Sequence, residues 1–151
     1  MSCSEDPRRA FDFWLGSWDV FAPDGRQVGT NRIESLYDGA ALAEHWEGVG
    51  GVRGTSLNAL DPTTGRWHQT WVDSGPSLLR LEGGMVGSSM VLVGTAPADD
   101  APERLDHQRI TWTPNADGSV RQHWETSTDE GKTWKTSFDG LYRHPSGGSA
   151  G

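Results

Sequence analysis

Three short stretches concentrate the groups that can do chemistry: EHWE (44–47), WHQTWVD (67–73) and QHWE (122–125). In an extended chain successive side chains point to opposite faces. WHQTWVD then splits into Trp67, Gln69, Trp71 and Asp73 on one face and His68, Thr70 and Val72 on the other. The first face offers indole surfaces that stack a flat ligand and an amide that orients a carbonyl or hydroxyl. A carboxylic acid held among apolar groups has a raised pKa and suits general acid or base work without a cofactor; Glu44 and Asp73 are the candidates. The second face collects His45, His68 and His123, each beside a Trp. Turned inward, those imidazoles would suit a zinc ion, with Glu47 or Glu125 assisting. Each reading has a plainer rival: a barrel filled by its own side chains, a carboxylate paired with Arg32 or Arg80, and a solvated histidine face.

The elements around these stretches decide which face is inside. PRRAFDFWL (7–15) fits one short helix, and after Gly16 the pattern turns to period two. Strand candidates are 17–22, 27–37, 40–48, 52–60, 66–73, 77–83, 88–95, 105–113, 119–127 and 134–143, separated by turn signals such as YDG, DPTTG, PNADG and TDEGK. Short turns imply antiparallel hairpins, and a long meander hides its edges by closing. The DPTTG loop pairs Leu60 with Trp67, Asn58 with Gln69 and Ser56 with Trp71. PNADG is expected to set Trp112 opposite Val120 and Ile110 opposite Gln122; TDEGK is expected to set Trp124 opposite Thr136 and Gln122 opposite Phe138. The bulky residues then share one face, while Arg109, Arg121, His123, Glu125, Lys135 and Asp139 share the other. A slip of one residue would bury that charged set, so the Trp phase is assigned to the interior.

Composition narrows the function classes. The chain has 151 residues, 13 basic against 21 acidic, and a net charge of −8. That balance argues against nucleic-acid and anionic-membrane partners, which need a basic surface. Cys3 is the only cysteine, so no internal disulfide or thiolate cluster can form. No apolar run has the length of a signal peptide core or a bilayer span, and a cytoplasmic protein is expected. G-x-S-x-G, H-E-x-x-H, P-loop and dinucleotide fingerprints are missing from the sequence. One domain over 8–144 is expected, with flexible ends at 1–7 and 145–151.

FDFWLGSWDV (11–20), with its F-x-F-W-x-G-x-W pattern, resembles the opening of a calycin or lipocalin-like barrel. Together with GTSLNALDPTTGRWHQTWVD (54–73), RITWTPNADGSVRQHWETSTDEGKTW (109–134) and FDGLYR (138–143), it is similar to a bacterial family of uncharacterised lipocalin-like proteins. The resemblance implies the fold over most of 11–143 and transfers no activity. In such barrels the G-x-W tryptophan closes one end with a late-strand Arg across it, which implies Arg143, or else Arg121, against Trp18. Nitrobindin-type haem barrels also open on G-x-W, but the glycine pattern that continues there is replaced here by Asp19-Val20-Phe21. Haem also needs an inward proximal His, and His45, His68 and His123 fall in the outward phase. Ser127 to Trp134 (STDEGKTW) resembles the Asp-box turn of sialidase blades, where the motif is structural.

The expected protein is therefore all-β: an antiparallel lipocalin-like (calycin) barrel of about 8–10 strands with a short N-terminal helix. The expected function is binding of a small apolar or aromatic molecule inside it. Trp46, Trp67, Trp71, Trp112, Trp124 and Phe138 would line the site, with Asn58, Gln69 and Gln122 as polar contacts. The alternative is a cofactor-independent cyclase or isomerase acting on a small hydrophobic, polyketide-like substrate, with Glu44 or Asp73 as acid or base. Neither reading calls for a metal or a cofactor; a homodimer is left open.

Overall fold

The computed structural model describes residues 6–145. The expected ends at 1–7 and 145–151 lie largely outside that range. Ten strands are present: β1 (Gly16–Phe21), β2 (Gln27–Leu36), β3 (Ala41–Gly48), β4 (Arg53–Asp61), β5 (Arg66–Asp73), β6 (Ser77–Val86), β7 (Ser89–Pro97), β8 (Leu105–Pro114), β9 (Val120–Ser127) and β10 (Lys135–Arg143). Each pairs antiparallel with its sequence neighbours, and β1 pairs with β10, so the sheet is a closed barrel. Closure leaves no free sheet edge. Among the described residues no helix is long and apolar enough to cross a membrane.

Alternation fixes the faces. In β5, Trp67 and Gln69 are buried between more exposed neighbours; in β8, Asp106, Gln108, Ile110 and Trp112 are buried. The β4–β5 register is the one expected from the DPTTG turn: Leu60 with Trp67, Asn58 with Gln69, Ser56 with Trp71. The next two hairpins differ from expectation by two residues. Trp112 faces Gln122 and Ile110 faces Trp124, because the strands pair up to Pro114 with Val120. Trp124 faces Phe138 and Gln122 faces Gly140, because β10 starts only at Lys135 and is bulged between Thr136 and Phe138. A two-residue shift preserves the phase, so the Trp side stays inside. Arg109–Glu125 and Arg121–Asp139 pair on the outside, as the charged face requires.

The N-terminal helix is built from two 3-10 turns, Pro7–Arg9 and Asp12–Trp14. It acts as a plug. Phe11 and Trp14 are fully buried; Phe11 stacks on Trp14 at 4.9 Å and meets Trp67 and Trp112 edge-on at 5.6 and 5.1 Å. Trp18 donates its indole N–H to the Trp14 carbonyl at 2.8 Å, which ties the plug to β1. The expected Arg143 is not across Trp18. Arg143 is exposed beside Asp19, and His144 stacks on the Trp18 ring at 4.1 Å instead. Arg121 is committed to Asp139 outside the barrel. The inward phase of β10 is occupied by Tyr142, so its neighbour Arg143 must point away.

The Asp-box turn forms as the resemblance implies. Asp129 accepts from Ser127, from Thr133 through its hydroxyl at 2.6 Å and from the Thr133 backbone N–H. These bonds hold its pKa down to about 2, led by the Thr133 hydroxyl. Trp134 lies under the Arg109 guanidinium on the outer surface, 4.1 Å from ring centroid to charge. The plug is the part of the fold most exposed to test. Phe11→Ala removes a fully buried ring, and a loss of about 3–5 kcal/mol is expected in a urea unfolding curve.

Candidate functional site

The end of the barrel opposite the plug holds a cavity of about 240 Å³. Its walls are Trp46 (β3), Trp71 (β5), Trp124 (β9) and Phe138 (β10), with Leu79 and Ile110 below them. Trp46 and Phe138 meet edge-to-face at 5.9 Å. Polar groups enter from Gln69, Gln122, Tyr142 and Glu44, and Asp73 sits at the rim with Ser137. Two indoles have their N–H groups tied into the wall: Trp71 donates to Asp73 at 2.9 Å and Trp124 to Gln108 at 2.7 Å.

Glycines set the wall thickness. A Cβ on Gly54 would collide with the Trp71 ring, which lies flat over the β4 backbone. Trp46 covers Gly29 in the same way, and a Cβ on Gly140 would come within 2.7 Å of the Phe138 ring. Trp71 and Trp46 therefore lean on a glycine of the adjacent strand, and Phe138 on Gly140 of its own strand, an arrangement known to stabilise strand glycines. It also holds the rings back from the centre of the mouth.

Behind the cavity a chain of polar side chains crosses the barrel. Gln69 donates to Asn58 at 2.8 Å, Asn58 to Ser56 at 2.8 Å, and Ser56 to Glu44 at 2.6 Å. From the other side Asn31 donates to Glu44 at 2.7 Å and to the Tyr142 hydroxyl at 2.9 Å. Tyr142 in turn donates to Gln122 at 2.6 Å. Burial pushes the Glu44 carboxyl up, against the bonds from Ser56 and Asn31 that favour its charge. Burial, and then the nearby Glu44 charge, push the Tyr142 phenol well above its usual range, so it stays neutral.

Asp73 departs from expectation. Burial opposes its charge, but bonds from Ser77, the Gly75 N–H and the Trp71 indole outweigh that and hold its pKa below the ordinary value. The raised-pKa acid or base expected at both positions is found at Glu44 and not at Asp73. Neither carboxylate meets a buried Arg: Arg32 pairs with Glu34 outside, and Arg80 is exposed.

The structure brings together Trp46, Gln69, Trp71, Gln122, Trp124 and Phe138 from the expected ligand set, with Glu44 and Asp73. It reassigns three others. Trp67 and Trp112 face inward but pack against Phe11 in the plug, and Asn58 is fully buried within the polar chain. Phase tells inside from outside and not depth: Trp67 and Trp71 share a face of β5 yet stand ~13 Å apart along it. Asn31, Ser56 and Tyr142 were not singled out in the sequence. Their signal is the alternation Gly29-Asn31-Ile33, Ser56-Asn58 and Phe138-Gly140-Tyr142, which carries them inward. The histidines lie on the outer phase with separate partners. His45 meets Glu34 at 2.8 Å, His68 lies 3.6 Å from Glu82, and His123 meets Thr136 at 2.9 Å. Among the described residues no three His, Cys, Asp or Glu side chains converge.

The fold and site define a closed ten-stranded barrel, plugged at one end and carrying a ligand-sized aromatic cavity at the other. No protein-family model matches the chain, and no curated protein matches it in sequence. The geometry is therefore the basis for the functional reading.

Two measurements check that geometry. Gly54→Ala should push Trp71 into the cavity, cost about 1–3 kcal/mol and shift the tryptophan emission. Gly50→Ala, with open space around the new methyl, should change neither. For Glu44, a folded pKa above the usual 4.5 means that stability is full below 4.5 and declines as pH rises through the folded value. The stability of the native protein relative to Glu44→Gln should therefore fall as pH is raised above about 4.5 and level off once the carboxyl is ionised; a flat difference would contradict the assignment.

Proposed function

We propose that the protein binds a small apolar or aromatic molecule in the mouth cavity, as a member of a lipocalin-like family of barrels. The observation that carries this reading is the cavity itself. Three indoles and a phenyl ring surround a space of about 240 Å³ that none of them fills; Trp46, Trp71 and Phe138 are held back on glycines and Trp124 by its bond to Gln108. Drug-sized pockets run to ~300–1,000 Å³, so a ligand of one or two rings is the right size. Stacking surfaces set its apolar character, and Gln69 and Gln122 orient a polar group on it.

Tryptophan fluorescence tests the reading. Titration with a panel of one- and two-ring hydrophobic compounds should give saturable quenching. Trp71→Ala should weaken the best ligand at least about tenfold, or ~1.4 kcal/mol. Trp134→Phe, on the outer surface beside Arg109, should leave affinity unchanged. Quenching that never saturates for any compound would sink the proposal.

A second reading is favoured by one feature, the carboxyl of Glu44. It borders the cavity, burial raises its pKa, and Asn31 connects it to Tyr142. Such a group can move a proton on a bound substrate in an isomerisation or cyclisation that needs no cofactor. Glu44→Gln separates the two: binding kept with turnover lost indicates catalysis, whereas a protein with no turnover on any bound compound is a binder.

A further inference from the structure

We propose that the molecule taken by the mouth cavity is an organic cation, a small aromatic or alkyl ammonium, held between the indoles of Trp46, Trp71 and Trp124 with its charge turned to Glu44. The proposal rests on the reading of the cavity as a ligand site and adds the ligand's charge.

The first ground is the charge inventory of the lining. Two carboxyl groups border the cavity, Glu44 inside and Asp73 at the rim, and neither Lys nor Arg does. Arg66, Arg109 and Arg121 each face an acid outside the barrel. An anionic ligand would meet the Asp73 carboxylate and no basic side chain.

The second ground is the direction of the hydrogen bonds. Both bonds to Glu44 are donated to it, from Ser56 at 2.6 Å and Asn31 at 2.7 Å, and the amides behind them are oriented the same way. That polarity supports a carboxylate at this position. A buried carboxylate without a cation is costly, and burial favours the neutral acid in the empty cavity. A ligand cation supplies the missing partner.

The third ground is the wall. Indole faces attract ammonium groups, most strongly where water is excluded. The bonds from Trp71 to Asp73 and from Trp124 to Gln108 hold both rings in place without using their faces.

Binding then moves one proton. The Glu44 carboxyl releases its proton to solvent, and the carboxylate left behind pairs with the ammonium; no covalent bond to the ligand forms or breaks. The titratable and charged groups around Glu44 are Tyr142 from β10, which stays neutral, His45, its outward-facing neighbour on β3 paired to Glu34, and Asp73 at the rim from β5, which is ionised. Affinity should therefore rise with pH until Glu44 is already ionised in the free protein.

Calorimetry on the full chain, with fluorescence alongside, tests this with three probes of one size: benzyltrimethylammonium, its uncharged isostere neopentylbenzene, and 3-phenylpropionate. The cation should bind at least about tenfold more tightly than the isostere, and the anion should not bind. Its binding heat should change between buffers of different ionisation enthalpy, in the sense of proton release at pH below the Glu44 midpoint. Glu44→Gln should lose the preference for the cation and keep the isostere. Equal or tighter binding of neopentylbenzene to the native protein would overturn the cation assignment and leave the cavity reading standing. If neither these probes nor the hydrophobic panel bind, both fall together. Because the buffer and pH measurements use the native protein, the outcome does not depend on the variant folding.

Discussion

The interior of a ten-stranded barrel is wider than its own inward side chains can fill. About eight strands already make a lumen that side chains just fill or that holds one small molecule. With ten strands closed by β1 against β10, something other than the strands must occupy one end. Here it is the N-terminal segment: Phe11 and Trp14 enter from outside the sheet and complete an aromatic cluster with Trp67 and Trp112. The opposite end has no such insert among the described residues. Its aromatics lean on the walls, and the space between them is the cavity.

Between plug and cavity lies the polar chain from Gln69 to Gln122 through Glu44. A barrel shaped only for stability would place apolar groups there, since a buried polar network at best offsets its own desolvation. This one is incompletely satisfied. The side-chain carbonyl oxygen of Asn31 is buried without a partner among the described residues, at about 1–3 kcal/mol for a group left unpaired. The layer fixes the floor of the cavity rigidly, because each side chain is positioned by one on the next strand.

Most of the fold was legible in the sequence because period two and turn residues act locally. All ten strands lie within a few residues of the turn-bounded stretches, and the stretch 66–73 coincides with β5. The phase survived two register errors because both were even, set by the pairing of Pro114 with Val120 and by the bulge before Phe138. Depth along the barrel was not legible. It depends on how neighbouring strands are staggered, a global property of closure, so Trp67 and Trp71 looked equivalent. The role of Gly54 was hidden for the same reason: a glycine in a strand shows in the sequence only as a weak point, and the ring that covers it lies on another strand.

The two carboxyl groups at the cavity show how far residue type underdetermines chemistry. Both lie on inward positions and both border the same space. Asp73 stands at the end of β5, where a tight turn brings the Gly75 N–H, the Ser77 hydroxyl and the Trp71 indole to it, and these donors favour its charge over burial. Glu44 stands mid-strand, where neighbouring backbone N–H groups are engaged in the ladder and only Ser56 and Asn31 donate to it, so burial prevails. The rim carboxylate is thereby a fixed charge and a structural tie for the Trp71 wall. The deep one is pushed toward its neutral form by burial. Of the two, only Glu44 has its pKa raised, and that difference follows from position along a strand rather than from the acids themselves.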